Sequence, residues 1–138
     1  MSFRDIAQIA GSAMTAQTVR MNAIASNMAN AEVATEGEGE AYRARKPVFA
    51  SMLLQGGKVA DGAVGVQVLD VVESPQPLRQ VYQPGHPMAD ESGNVFYSNV
   101  DMVEEMTDML SASRAFASNV ELLTRSNIMQ QALLKMGQ

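Results

Sequence analysis

The 138-residue sequence predicts an α+β fold, in which long N- and C-terminal helices pair as a coiled-coil-like hairpin and a small antiparallel β domain is inserted between them. Two observations lead to this prediction. All five prolines and eight of the ten glycines lie between residues 32 and 100, whereas nine of the eleven methionines lie outside that stretch. Both ends also repeat apolar residues at steps of three and four, the period of an amphipathic helix. We therefore divide the chain into an N-terminal helix (1–31), a central loop and β domain (32–100) and a C-terminal helix (101–138).

The N-terminal helix is predicted from a segment that contains no proline and a single glycine, Gly11. Its apolar stripe recurs at helical spacing and contains one polar member, Gln17. The stripe consists of Phe3, Ala7, Ala10, Met14, Gln17, Met21, Ile24, Met28 and Ala31.

The C-terminal helix is predicted from residues typical of a helix start and a helix end, as well as from the helical spacing of its apolar residues. Asp101, Glu104 and Glu105 occupy its first turn, where the helix dipole favours negative charge, and Lys135 lies in its last turn. One seam of the helix is predicted to hold Met102, Met106, Met109, Ser113, Phe116, Val120, Leu123 and Asn127.

Polar residues interrupt both seams, at Gln17 in the first helix and at Ser113 and Asn127 in the second. A buried amide without a partner costs on the order of 1–3 kcal/mol, so such residues either fix register and partner choice or face solvent at the edge of the seam. Their occurrence in both helices favours contacts with other chains.

The central stretch, residues 32–100, is predicted to consist of loops and short strands. An acidic, glycine-spaced linker at 36–40 precedes an extended segment at 42–54, and a valine-rich strand is predicted at 64–73. Two further strands are predicted at 78–83 and 94–97, after the turn-forming Pro75, Pro77 and Gly93. Together they predict one small antiparallel sheet of three or four strands.

Composition argues against several classes of protein. The net charge is −5 and the longest basic stretch is Arg43–Lys46, so nucleic acid is not an expected partner. The first twenty residues lack the apolar core of a cleavable signal, and no window reaches the roughly 18 apolar residues that cross a bilayer. We expect no cleaved signal peptide and no direct membrane insertion. The absence of cysteine excludes a disulfide framework.

A catalytic role would have to use His86, the one histidine of the chain, with Asp90 or Glu91 nearby. No nucleophile motif, metal-ligand spacing or phosphate-binding glycine loop accompanies them. A lone histidine between Pro84 and Pro87 is more typical of a surface turn. The sequence therefore predicts no catalytic residue, no metal site, no cofactor and no small-molecule substrate.

Two segments of the N-terminal helix carry a more specific pattern. Ala25–Ala31 and Gly11–Gln17 closely resemble the N-terminal signature of the bacterial flagellar axial proteins, the rod and hook family. Further stretches are similar to short rod members of that family: Tyr82–Asp90 with Gly93, Asn99–Met106, Ser111–Arg114 and Asn119–Glu121. The likeness covers essentially the whole chain and is weakest over residues 32–63.

The resemblance implies a structural subunit of the proximal rod of the flagellar basal body, assembling helically as a homo-oligomer and transmitting motor torque. It implies export through the flagellar type III apparatus without a cleaved signal peptide, and location in the periplasmic rod. The implied neighbours are the rod proteins FlgB, FlgF and FlgG and the basal-body protein FliE. In this interpretation both terminal helices are assembly helices.

Thirteen residues of the two helices are predicted to form the assembly interface, as apolar contacts or as specific amide bonds. They are Met14, Gln17, Met21, Ile24, Asn27, Met28, Asn30, Met106, Met109, Phe116, Val120, Leu123 and Asn127. The alternative is a soluble coiled-coil adaptor, in which a single helical hairpin presents the β domain to one protein partner.

Overall fold

A computed structural model describes residues 3–53 and 64–137 and confirms the α+β fold, with two long helices and a small antiparallel β region between them. Residue 54, the last of the predicted extended segment, and the connection from there to the valine-rich strand at 64 lie outside the described residues. The elements in chain order are α1 (Phe3–Asn30), β1 (Ala34–Thr35), β2 (Arg45–Leu53), β3 (Val64–Glu73), β4 (Arg79–Tyr82), β5 (Asn94–Tyr97) and α2 (Met102–Met136).

The two helices pack against each other in antiparallel directions, because the last turns of α1 lie against the first turns of α2. Asp101 caps α2: its Oδ1 accepts hydrogen bonds from the backbone N–H groups of Val103 (2.8 Å) and Glu104 (3.2 Å). With 35 residues against 28, α2 is about 10 Å longer than α1.

The β region differs from the single sheet predicted. β2 and β3 form a separate two-stranded antiparallel hairpin, and a three-stranded sheet has the order β1-β5-β4. The prediction of one sheet was wrong because Pro75 and Pro77 follow β3; proline has no backbone N–H to continue a ladder, so β4 starts anew and pairs with β5. The two-residue β1, which pairs with β5, was not predicted.

The connection between β4 and β5 is a compact turn built on Asp90 and Gly93. Asp90 Oδ1 accepts from the backbone N–H groups of Ser92 and Asn94, both at 2.8 Å. Gly93 has φ 79°, a conformation that side-chain-bearing residues rarely adopt.

The acidic linker at 36–40 forms a turn, since the Glu40 N–H donates to the Gly37 carbonyl.

The buried core is made mostly of small side chains. Among the described residues, its apolar members apart from Ile24 and Val95 are alanines: Ala10, Ala16, Ala23, Ala31, Ala41, Ala44 and Ala112. Small side chains allow close backbone approach but bury little apolar area each. Many large apolar side chains therefore remain exposed on α2 and on the β2–β3 hairpin.

Candidate functional site: the helix pair and its junction with the hairpin

Asn27 is the centre of a junction where α1, α2 and the start of β2 meet, and its side chain is 1% exposed. Its Oδ1 accepts from the Arg45 N–H (2.8 Å) and from the Tyr42 hydroxyl (2.9 Å). Its Nδ2 donates to the Arg45 carbonyl (2.9 Å) and to Glu105 Oε1 (3.0 Å). All four hydrogen-bonding positions of the amide are thus used.

Glu105 is the least satisfied member of this junction. It is 4% exposed, and while Oε1 accepts from Asn27, its Oε2 is buried without a hydrogen-bond partner among the described residues. Burial raises the pKa of the Glu105 carboxyl, opposed by the hydrogen bond from Asn27 and the charge of Lys46, and supported by the negative charges of Asp108 and Glu104.

Two ion pairs flank the junction. Arg20 on α1 contacts Asp108 Oδ1 on α2 at 2.8 Å, and Lys46 on β2 contacts Glu104 Oε1 at 2.9 Å. The hydrogen bond to Glu104 raises the pKa of Lys46 above its usual range, although burial works in the opposite direction. These pairs hold the helices and β2 together at the rim of the junction.

Two further side chains hold the β region in place, one from the segment before α2 and one from α1. Asn99 accepts from the Ala44 N–H through Oδ1 (2.7 Å) and donates through Nδ2 to the Gln76 carbonyl (2.9 Å). On the other side, Ser12 Oγ of α1 accepts from the Val66 N–H of β3 (3.1 Å). The residue before β2 and the third residue of β3 are therefore both held by side-chain hydrogen bonds.

The predicted α1 residues lie within or beside the helix pair. Ile24 and Asn27 are buried, and Met14, Gln17, Met21, Met28 and Asn30 are half-buried. Gln17 Oε1 is buried with no partner in the described structure. Asn30 instead bonds within its own helix, to the Ser26 carbonyl (2.8 Å).

On α2, the positions that α1 covers agree only in part with the predicted seam. At several turns the covered residue is the one before the predicted residue. Met109, Phe116 and Leu123 are half-buried, but Met106, Val120 and Asn127 are exposed in the single chain. The covered positions are their preceding neighbours at the same seven-residue spacing: buried Glu105 and Ala112, and half-buried Asn119 and Ser126.

This rotation leaves a row of large apolar side chains on the outer face of α2, which we call the outer stripe: Val103, Met106, Leu110 and Val120, exposed to 72%, 54%, 53% and 40%. The end of α2 adds Ile128, Met129, Leu133, Leu134 and Met136, all exposed. Exposed apolar rows of this kind mark surfaces that bind other proteins.

The structure gives His86 a local role. Its Nδ1 accepts from the Met88 backbone N–H at 3.1 Å, which stabilises the turn after β4. Over the described ranges, no three His, Asp or Glu side chains are grouped as a metal site would require. Within the same ranges, neither helix is apolar enough over a sufficient length to span a bilayer.

Sequence reasoning missed Tyr42, the Arg45 backbone and Glu105 as parts of the junction. Glu105 was assigned to the first turn for its charge alone. A signal was available, because Glu105, Ala112, Asn119 and Ser126 repeat at seven residues and include the small Ala112, which permits close helix approach.

Comparisons with known proteins agree on one family. The family model described as "Flagella basal body rod protein" matches residues 8–37, and that described as "Flagellar basal body rod FlgEFG protein C-terminal" matches residues 91–136. "Flagellar basal-body rod protein FlgC" of Escherichia coli O157:H7 is 46% identical over 138 residues, covering 100% of both chains. The protein of that name from Yersinia enterocolitica is 42% identical over 100% of both chains, and that from Borreliella burgdorferi is 32% identical over 91% of both.

Proposed function

The chain belongs to the FlgC family of flagellar basal-body rod proteins and is a structural subunit of the rod, and we propose that it assembles helically in the proximal rod through the outer stripe of α2. The observation that carries this proposal is the exposure of Val103, Met106 and Leu110 in the single chain. Burying an exposed apolar side chain contributes about 1.5–3 kcal/mol, so a neighbouring subunit that covers the stripe would gain substantially.

The geometry of the helix pair favours an open assembly. The outer stripe lies on α2 alone, and the end of α2 continues beyond the length that α1 can cover. A surface of this kind is complemented by a different surface of the next copy. Such head-to-tail contacts produce a helical array when the rotation between copies does not close.

We propose that residues 1–31 and 101–138 act as the assembly helices and that residues 32–100 form a spacer outside them. In the assembled rod, Met14, Met21 and Met28 fill irregular gaps between subunits, which suits the adaptable methionine side chain. Torque then passes through many parallel helix contacts. The predicted interface residues that are not buried in the single chain contribute in the same way, the amides by specific hydrogen bonds: Gln17, Asn30, Met106, Met109, Phe116, Val120, Leu123 and Asn127. Ile24 and Asn27 are buried within the chain and hold the helix pair and the hairpin together instead.

The proposed neighbours are further copies of this chain, the rod proteins FlgB, FlgF and FlgG, and FliE. Support comes from the match of residues 91–136 to a model whose description names FlgE, FlgF and FlgG. Helices with a shared sequence pattern can pack side by side in one layer. We further propose a periplasmic position after export without a cleaved signal peptide.

The proposal includes no catalytic step. The family is structural, and the His86 imidazole accepts a hydrogen bond from the backbone N–H of Met88. The adaptor alternative, a single helical hairpin that binds one partner, would leave the outer stripe unused in any polymer.

A swimming assay in a bacterium that lacks its own FlgC gene tests the proposal. Met106→Asp and Val120→Asp place a charge on the outer stripe and should abolish swimming, whereas His86→Ala and the exposed Ser111→Asp should swim normally. Urea unfolding of each purified variant should agree with the wild type to within about 0.5 kcal/mol, as expected for surface changes. Normal swimming of the two stripe variants would refute assembly through this face.

A further inference from the structure

The carboxyl of Glu105 has no function in the rod contacts proposed above, yet it lies at the point where three elements meet. We propose that it is a proton-controlled latch: with a proton on Oε2 it closes the junction between α1, α2 and the β2–β3 hairpin, and its ionisation loosens the attachment of β2. The latch would operate in the single chain, independently of assembly.

The closed state follows from the hydrogen bonds of the junction. Glu105 Oε1 accepts from Asn27 Nδ2 at 3.0 Å, and the same amide holds the N–H and the carbonyl of Arg45, the first residue of β2. Arg45 forms the first pair of the hairpin, opposite Glu73 of β3. Glu105 therefore acts on the hairpin through Asn27.

Ionisation is only partly compensated: the Asn27 hydrogen bond and the charge of Lys46 favour the carboxylate, but each cation that lines the cavity beside Glu105 already contacts another carboxylate. Arg20 of α1 and the β2 residues Arg45 and Lys46 line the cavity beside Glu105, and each contacts a different carboxylate. The pairs are Arg20–Asp108 (2.8 Å), Arg45–Glu73 (3.7 Å) and Lys46–Glu104 (2.9 Å). Asp108 and Glu104, on the same helix as Glu105, oppose a further negative charge there.

The buried Oε2 is the atom on which the latch depends. It has no hydrogen-bond partner among the described residues, and a charged oxygen in that position would be desolvated without compensation. A neutral carboxylic acid costs far less to bury. The direction of the shift is consistent with this, since burial raises the pKa of Glu105.

The opening step is a simple proton loss. The O–H bond of the acid breaks, the proton passes to solvent, and the carboxylate keeps the electron pair. A cavity of about 220 Å³ lies between α1, the start of β2 and α2 and is lined in part by Glu105. Water that enters from this cavity can hydrate the carboxylate once the first turn of α2 moves away from Asn27.

The test combines two measurements on the full chain. The first is a ¹³C NMR titration of the Glu105 carboxyl in the wild type. The second follows hydrogen exchange of the Arg45 amide, which donates to Asn27 Oδ1, between pH 4.5 and 8 in wild type, Glu105→Gln and Glu121→Gln. Glu105→Gln keeps a neutral, acid-like shape, and Glu121→Gln removes an exposed charge, paired with Arg125, about four turns further along α2.

We expect the wild-type carboxyl to titrate above 4.5, the ordinary value. Protection of the Arg45 amide, corrected for intrinsic exchange, should fall through the same pH range, tenfold for each unit by which the pKa is raised. Glu121→Gln should behave like the wild type, and Glu105→Gln should stay protected throughout. A wild-type pKa at or below 4.5 would overturn the latch even if Glu105→Gln failed to fold, as would equal pH dependence in wild type and Glu105→Gln.

Discussion

The side chain of Asn27 forms both hydrogen bonds that the backbone of Arg45 offers: its Oδ1 accepts from the N–H at 2.8 Å and its Nδ2 donates to the carbonyl at 2.9 Å. One amide on α1 thus replaces a neighbouring strand for the first residue of β2. The hairpin is positioned on the helix pair by this contact and by the bond between Ser12 and Val66.

Asn27→Ala should therefore destabilise the chain by about 2–4 kcal/mol, because several buried polar groups lose their partner at once. Asn30→Ala is the matched control on the same helix, since its amide bonds only the Ser26 carbonyl in the interactions described. Its cost should stay below about 1 kcal/mol. Urea unfolding monitored by circular dichroism measures both. Equal losses for the two variants would contradict the role assigned to Asn27.

The close approach of the two helices at Ala112 gives a second prediction. Ala112 is fully buried, and Ala112→Leu should cost about 1–3 kcal/mol through overpacking. Ser113→Leu adds a similar side chain at the adjacent exposed position and should change stability by less than about 0.5 kcal/mol. A larger loss of stability for Ser113→Leu than for Ala112→Leu would mean that the seam runs through Ser113, as the sequence alone predicted.

A third prediction concerns Gly93, in the turn before β5. Gly93→Ala should cost about 1–3 kcal/mol, because φ is 79° and the new Cβ would lie 2.8 Å from Tyr82 Cε2 and 3.1 Å from Pro84 Cβ. The Tyr82 ring can swing outward, but the backbone strain remains. Gly85→Ala, whose Cβ would meet no atom within 4 Å, should be close to neutral. Thermal unfolding of both variants distinguishes a strained turn from a tolerant one.

The fourth concerns global stability as a function of pH. Because the pKa of Glu105 is raised in the folded chain, the contribution of this group to stability is fully present below pH 4.5 and is lost as the pH rises through the folded-state value. The free energy of unfolding of the wild type should therefore fall increasingly, relative to that of Glu105→Gln, as the pH rises above 4.5. Urea titrations at pH 4, 6 and 8 would show the two proteins diverging; parallel curves would contradict the assigned shift.

The sequence predicted the helices well because their signals are local. The breaker-free apolar period and the acidic residues from Asp101 onward indicated where α2 begins, although Asp101 is its N-cap and not part of its first turn. β3 and β5 were predicted with the bounds that the structure has. Strand pairing was harder, since the division into two sheets depends on where the chain turns after Pro75 and Pro77. The rotation of the α2 seam was also missed, because Met106 and Val120 are more apolar than Glu105 and Asn119 but face away from α1.

The junction could be predicted only in part. Asn27 was singled out, but for specific amide bonds in the assembly interface. Its partners Tyr42, Arg45 and Glu105 are 15, 18 and 78 residues away along the chain. A local sequence pattern does not indicate contacts over such separations, so these contacts could be identified only from the folded structure.

The central claim, that neighbouring subunits cover the outer stripe of α2, can be tested directly by thiol labelling, because the natural sequence contains no cysteine. Met106→Cys should react quickly with a maleimide in the purified chain and at least tenfold more slowly in isolated basal bodies. Ala112→Cys, buried in the single chain, should react slowly in both. If Met106→Cys reacts as fast in the basal body as in the purified chain, the outer stripe is not an assembly surface.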